Sequence, residues 1–182
     1  MNNVSYRVAL GGIISSLCLL AMFLTGVMPL FYLALPMIAG ILILVMMVEV
    51  NTGWAWLTYL AVSILSLFVT FDKEASIMFV MFFGHYPILH QYIKKIKNNI
   101  VSWLAKFSIY NVCVVLAFKL TVFLLGAEEM LEEFHQWGEY GAVIFLAVTN
   151  LVFVVYDKSI DSCLKMYKYW LRPKITGKGK LK

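Results

Sequence analysis

Long apolar runs dominate the chain, and short polar clusters separate them. A helix needs roughly 20 apolar residues to cross a hydrocarbon core of about 30 Å. Six runs meet or approach that length: residues 8–27, 30–50, 54–71, 75–93, 100–125 and 140–156. Because the runs are continuous and do not alternate between apolar and polar residues, they favour helices over strands. The pattern predicts an all-α membrane protein, a bundle of about six transmembrane helices.

Composition and the first run support a membrane location. Hydrophobic residues make up 62% of the 182 residues, whereas soluble domains are roughly 45–50% apolar. A soluble core of this size does not bury so much apolar surface. Residues 8–27 are also longer than the roughly 7–15 residues of a signal-peptide core, and no A-x-A site follows them. We therefore interpret this run as the first membrane helix.

The positive charges predict the orientation of the bundle. Arg7 precedes the first run, three lysines lie within 94–97, and eight basic residues lie within 158–182. With six spans these sites share one side, and the other side has Lys73 among acidic residues. The positive-inside rule then predicts a multi-pass cell-membrane protein with both termini in the cytoplasm. The same placement argues against nucleic acid as the partner of the net charge of +5.

Two polar segments, residues 127–139 and residues 157–182, are longer than turns. Residues 1–156 are predicted to form the transmembrane domain, and residues 157–182 a basic amphipathic cytoplasmic tail. One helical face of this tail is expected to lie against anionic lipid. Residues 127–139 are expected to form either a short amphipathic helix on the outer surface or a solvated loop. The apolar face of the tail consists of Ile160, Leu164, Tyr167 and Leu171.

The fourth run contains residues that weaken a helix. Gly84 and Pro87 flank His85 and Tyr86, and proline removes one backbone donor and clashes with the preceding turn. A bend here would free backbone carbonyls beside His85 and Tyr86, as in the broken helices that line transporter sites. The simpler alternative is a kink whose histidine bonds to a neighbouring span. We name His85 and Tyr86 as candidate substrate-binding residues.

The fifth run carries polar residues inside the membrane. Asn111 and Lys119 are eight residues apart, which places them on nearly the same helical face. They complete the candidate substrate site, in which Lys119 would offer a cation from the outer side. The alternative is that Lys119 reaches the membrane surface, and the long stem of Lys106 could do the same at the cytoplasmic end. Asn150 in the sixth run is predicted to form an interhelical hydrogen bond.

Small residues recur at four-residue spacing in the first run. Gly11 with Ser15, and Gly12 with Ser16, are small-xxx-small pairs. Such pairs permit another helix to approach closely. These four residues are therefore candidate partner-binding residues.

Catalytic and metal-binding patterns are not evident in the sequence. There is no HExxH, GxSxG or clustered set of metal ligands. The three cysteines show no CxxC or Cys/His spacing. We predict a protein that is not an enzyme, with no cofactor and no metal site.

In outline the chain resembles the S components of energy-coupling-factor transporters. The resemblance includes its size, its six spans with both ends inside, the small residues of the first span and the proline-bearing segment 29–40. It implies a substrate-binding membrane subunit that captures a small, vitamin-like solute and associates with a membrane T component and ATPases. The alternative is a non-catalytic scaffold or regulatory membrane protein in envelope assembly or cell-shape control.

Overall fold

A computed structural model describes residues 4–126 and 140–176 of the chain. This part consists of helices joined by short connections, and it contains no strand. The predicted outer segment 127–139 and the chain end 177–182 lie outside the described residues. The α-helices are α1 (Val4–Thr25), α2 (Ala34–Glu49), α3 (Thr52–Val69), α4 (Lys73–Met78), α5 (Tyr86–Ile93), α6 (Asn99–Leu125), α7 (Gly141–Met166) and α8 (Arg172–Thr176).

Within the described residues, four helical stretches are long and apolar enough to cross a membrane. They are Val4–Thr25, Thr52–Val69, Asn99–Leu125 and Val143–Lys174. Many of their apolar side chains face outward, and Phe68 and Phe123 are 80% and 82% exposed. The acyl chains of a bilayer solvate such an apolar surface favourably, whereas water does not. The prediction of an all-helical, multi-pass membrane protein is therefore confirmed. The predicted number of six spans is not confirmed, because four stretches of the described residues qualify.

The second and fourth predicted runs differ from the other four. Helix α2 has 16 residues, fewer than the roughly 20 that cross a bilayer. The fourth run is divided into α4, a π-helical segment (Phe79–Phe83) and α5. Both are apolar helices that pack against the longer ones in the same cluster of buried side chains.

Local sequence explains where several helices begin and end. The side chain of Asn51 accepts a hydrogen bond from Trp54 N at 3.0 Å and so caps α3. Asp72 caps α4 in the same way, and Asn98 caps α6. Such caps satisfy backbone donors that lack a partner within the helix. At the far end of α6, Gly126 adopts the left-handed conformation (φ 60°), which glycine tolerates best.

The predicted interruption of the fourth run is present at Gly84 and His85. Gly84 N donates to Phe79 O at 2.8 Å, a π-type bond that leaves Val80 O without its usual helical donor. Pro87 has no N–H, so Phe83 O also lacks its usual helical donor. Proline is tolerated here because it lies in the first turn of α5.

Two tyrosines from other helices satisfy the carbonyls that the interruption frees. Tyr59 Oη of α3 donates to Val80 O at 2.7 Å, and Tyr156 Oη of α7 donates to Phe83 O at 3.1 Å. Gly40 of α2 packs so closely that a Cβ there would lie 2.0 Å from Phe83 O. The broken helix is thus fixed from three sides by α2, α3 and α7.

The sixth predicted run extends further than the sequence pattern suggested. Helix α7 continues through Met166, so the boundary between residues 156 and 157 lies inside it. Ile160 is fully buried in the core and Leu164 packs against that core. Tyr167 donates to Glu49 Oε1 at 3.1 Å. The structure therefore places this face of the tail against the protein, and the prediction that it lies against lipid is wrong.

Candidate functional site

A buried carboxylate joins three helices in the interior of the bundle. Asp157 of α7 is 4% exposed. Its Oδ1 accepts a hydrogen bond from Tyr86 Oη of α5 at 2.5 Å. Its Oδ2 accepts one from Lys106 Nζ of α6 at 2.8 Å. The short distances fit charge-assisted bonds, which are roughly twice as strong as neutral ones.

Lys106 supplies the opposite charge. Its side chain is 10% exposed, and it is the eighth residue of α6, about 10 Å from the start of that helix. The long stem of Lys106 does not extend away from the bundle, because its Nζ bonds to the buried carboxylate of Asp157. The indole of Trp103 lies beside it, with Nζ 5.0 Å from the ring centroid. This contact adds a cation–π attraction to the ion pair.

His90 is a further polar member of the group. It is fully buried, and its Nε2 lies 3.3 Å from Asp157 Oδ1 without hydrogen-bond alignment. Its Nδ1 lies 3.3 Å from the side-chain nitrogen of Gln91. An amide nitrogen donates only, so Nδ1 is the acceptor and Nε2 carries the ring proton that faces the carboxylate. We call Tyr86, His90, Lys106 and Asp157 the charged cluster.

Burying the charged cluster has a free-energy cost, which bears on the role of the cluster. A single charged side chain at the bilayer centre costs about 2.5–3.5 kcal/mol on insertion scales. Pairing offsets part of that cost, but replacing a buried ion pair by apolar residues is often neutral or stabilising. A buried pair is therefore weak support for a purely stabilising role. Ionisable residues that face the interior of a membrane bundle are functional-site candidates by default.

Aromatic rings surround the charged cluster on the side that leads to the bundle centre. Tyr110 and Phe153 stack with centroids 4.5 Å apart, and Phe82 lies 4.9 Å from Tyr110. Tyr86 contacts this group as well, with its ring 4.6 Å from that of Phe82. The rings place apolar surface beside the buried carboxylate of Asp157, and a low local dielectric strengthens ionic contacts.

A second ion pair lies one turn further along α7. Lys94 Nζ is 2.8 Å from Asp161 Oδ1, but the two side chains are 54% and 33% exposed. The inner pair of the charged cluster is exposed by only 10% and 5%. Both pairs join a lysine to an aspartate at 2.8 Å, but the inner pair is more deeply buried and its carboxylate also accepts a hydrogen bond from Tyr86. The outer pair is therefore a natural control for the inner one.

The predicted substrate-binding residues do not meet in one place. Tyr86 belongs to the charged cluster, whereas the neighbouring His85 points to Trp56 and Tyr59, with ring centroids 6.5 and 5.7 Å away. The Nδ1 atom of His85 is buried and has no hydrogen-bond partner among the described residues. The two histidines of this run face different surroundings, as their five-residue spacing predicts.

Asn111 and Lys119 also have different surroundings. The Asn111 and Asn150 amides exchange two hydrogen bonds, at 3.1 and 3.0 Å, which confirms the prediction of an interhelical role for Asn150. Lys119 lies on an exposed face of α6. Among the predicted site residues the structure therefore places Tyr86 in the charged cluster and leaves the others outside it.

The small residues of α1 divide between two faces. A Cβ on Gly11 would lie 3.6 Å from Met46 Cε, so this face packs against α2 within the chain. A Cβ on Gly12 would meet nothing within 4 Å, and Ser16 is exposed. Gly12 and Ser16 form the part of the predicted partner surface that remains open, while Ser15 is half-buried.

Sequence reasoning missed Asp157, His90 and Lys106 as members of one site. Asp157 directly follows the sixth predicted run, and no glycine, proline or polar turn separates it from that run. That absence of a helix stop was the available signal, because an uninterrupted helix carries Asp157 to the depth of Lys106 in the antiparallel α6.

No group of three or more His, Cys, Asp or Glu suited to a metal ion occurs in the described part of the chain.

Comparison of the chain with protein-family models, with curated proteins and with solved structures gave no match.

Proposed function

We propose that the chain is the substrate-binding membrane subunit of a small-solute importer, with about six spans and both termini in the cytoplasm. The observation that carries the proposal is the charged cluster, which is buried between three helices beside an interrupted helix. Interrupted helices with ionisable neighbours line substrate sites in many transporters. The all-helical fold alone would support any of several membrane functions.

The chemistry of the cluster indicates the class of solute. Lys106 offers a cation, Asp157 a carboxylate, Tyr86 a hydroxyl and His90 an imidazole. These groups fit a small polar solute that carries both donors and acceptors, such as a vitamin-like heterocycle or a zwitterion. Tyr86 and Lys106 bond to Asp157 in this conformation, while His90 Nε2 has no aligned partner among the described residues. A solute therefore enters by replacing protein contacts, which links binding to movement of α7 against α5 and α6.

The proposal also assigns a partner surface. The open face of Gly12 and Ser16 on α1 suits the close approach of another helix. By its resemblance to energy-coupling-factor S components, the chain would dock there to a membrane T component that works with ATPases. Gly12→Leu is the matched test because it adds bulk only on the open face, whereas leucine at Gly11 would disturb packing against Met46.

A thermal-shift screen of the purified protein tests solute binding. The panel contains vitamins, nucleobases, amino acids and metal ions. A ligand at 100 times its dissociation constant adds about 2.7 kcal/mol of stability. We expect a saturable shift that is lost in Asp157→Asn and Lys106→Gln and is retained in Asp161→Asn and Lys94→Gln. A folded protein that shows no shift across the panel would contradict the proposal.

A non-catalytic scaffold or regulatory protein is the second candidate. It is favoured by the dense packing of aromatic rings beside the charged cluster and by the hydrogen bonds that already join Tyr86 and Lys106 to Asp157. In that case the working surface is the basic end of the chain. Deleting residues 174–182 separates the two candidates. A scaffold loses its protein partner in co-purification, while a solute-binding subunit keeps its ligand-induced thermal shift.

A further inference from the structure

A groove of about 320 Å³ lies between the end of α2, the end of α5 and the π-helical segment Tyr167–Leu171, which continues from α7. One side of the groove is apolar and belongs mostly to α2, and the other side is polar and basic. The groove lies beside the last residues of α2, which ends at Glu49. The apolar side includes Leu44, Met47 and Leu164, and the polar side consists of Gln91, Lys168 and Arg172.

The two cations of the groove have different roles. Arg172 Nε donates to Glu49 Oε1 at 2.6 Å, and Tyr167 Oη donates to the same oxygen at 3.1 Å. These contacts neutralise Arg172 and hold the basic segment against α2. Lys168 is half-buried and forms no hydrogen bond or ion pair with any described residue. The groove wall thus carries one excess positive charge next to an apolar surface.

We propose that this groove binds an anionic phospholipid, with its phosphate at Lys168 and an acyl chain along Met47 and Leu164. The position fits, because the last turn of an apolar helix lies near the level of the lipid headgroups. The charge fits, because basic pockets between membrane helices bind anionic headgroups. The apolar wall favours a lipid over free phosphate, which has no apolar part to bury. This inference does not depend on the solute-binding proposal.

Titration of the detergent-purified protein with phospholipid, followed by native mass spectrometry, tests the inference. The probes are dioleoyl phosphatidylglycerol, the zwitterionic dioleoyl phosphatidylcholine and inorganic phosphate. Loss of one basic residue near an anionic headgroup corresponds to about a fivefold weaker affinity. We expect that loss for phosphatidylglycerol in Lys168→Ala and recovery in Lys168→Arg. Lys165→Ala removes the same charge from an exposed position and should change the affinity less than twofold.

A second variant keeps the test valid if Lys168→Ala does not fold. Met47→Trp fills the groove without changing the charge, and it should weaken phosphatidylglycerol binding. Equal binding of phosphatidylcholine would overturn the inference, as would equal losses in Lys168→Ala and Lys165→Ala. If inorganic phosphate competes fully with phosphatidylglycerol in both the wild-type protein and Met47→Trp, the groove holds a phosphate ion and the lipid assignment is overturned.

Discussion

The inner and outer ion pairs allow a direct test of what burial does to the charged cluster. The perturbation is Lys106→Met, which keeps the length of the side chain and removes its charge. Asp157 then retains the Tyr86 hydrogen bond but loses the only cation within bonding distance among the described residues. Matched changes at the outer pair are Lys94→Met and Asp161→Asn, one turn further along α7.

The expected magnitudes follow from the exposure of the two pairs. Removing one partner of a buried ion pair costs about 3–5 kcal/mol, because the remaining charge stays buried without compensation. The inner side chains are 10% and 5% exposed, so this range applies to Lys106→Met. The outer side chains are 54% and 33% exposed, and exposed pairs contribute at most about 1 kcal/mol.

A double-mutant cycle measures the coupling directly. Asp157→Asn in the Lys106→Met background removes the unpaired charge, so we expect the double variant to recover part of the lost stability. The coupling energy should be about 2–3 kcal/mol for the inner pair and below about 1 kcal/mol for the outer pair. The assay is reversible unfolding by sodium dodecyl sulfate in mixed micelles, followed through the fluorescence of the five tryptophans.

The test compares the coupling energy of the inner pair with that of the outer pair. If the outer pair couples as strongly as the inner pair, burial does not govern these interactions and the reasoning is refuted. The same holds if Lys106→Met leaves the free energy of unfolding unchanged. Circular dichroism on each variant establishes that the helical content is retained, so that a lost fold is not counted as a lost ion pair.

Three further predictions concern contacts between helices. Gly40→Ala should cost about 1–3 kcal/mol because the new Cβ would lie 2.0 Å from Phe83 O, whereas Gly12→Ala has open space and serves as the control in the same thermal melts. Tyr156→Phe removes the donor to Phe83 O and should cost about 1–3 kcal/mol by leaving that buried carbonyl unsatisfied, with a lowered melting temperature as the readout. Asn111→Leu removes one partner of the reciprocal amide pair and should cost about 0.5–2 kcal/mol in the micelle unfolding assay, and an unchanged stability would show that this pair is dispensable.

The sequence was sufficient for the helical class and for the position of the interruption. Apolar runs of membrane length leave little alternative to helices, because every backbone group must be satisfied without water. Gly84 and Pro87 indicated the break because proline lacks a donor wherever it occurs. The residues that stabilise the break, Tyr59 and Tyr156, lie on other helices. Their contacts depend on helix packing, which no local pattern encodes.

The candidate site was predicted only in part for a related reason. Tyr86 is predictable because it adjoins the break, but the apolar run ends at residue 156 and so predicts too early an end for the sixth membrane helix. Asp157 lowers the hydropathy at that point, although helix α7 continues past it. A charged residue that is paired inside a bundle looks like a membrane boundary in a hydropathy pattern. Opposite charges at matching depths in neighbouring runs, such as Lys106 and Asp157, are the signal that separates the two situations.

The length of α2 has a consequence for the surrounding lipid. Its 16 residues span about 24 Å, whereas the hydrocarbon core is about 30 Å thick. Under the proposed topology, Ile38 on its outer face is 50% exposed to a bilayer that is thicker than the helix. The lipid must become thinner along this side, at a modest cost for each ångström of mismatch. Two molecules that associate through the sides formed by α2 share one thinned region of the bilayer. The short helix therefore favours lateral clustering in thick membranes and dispersal in thin ones.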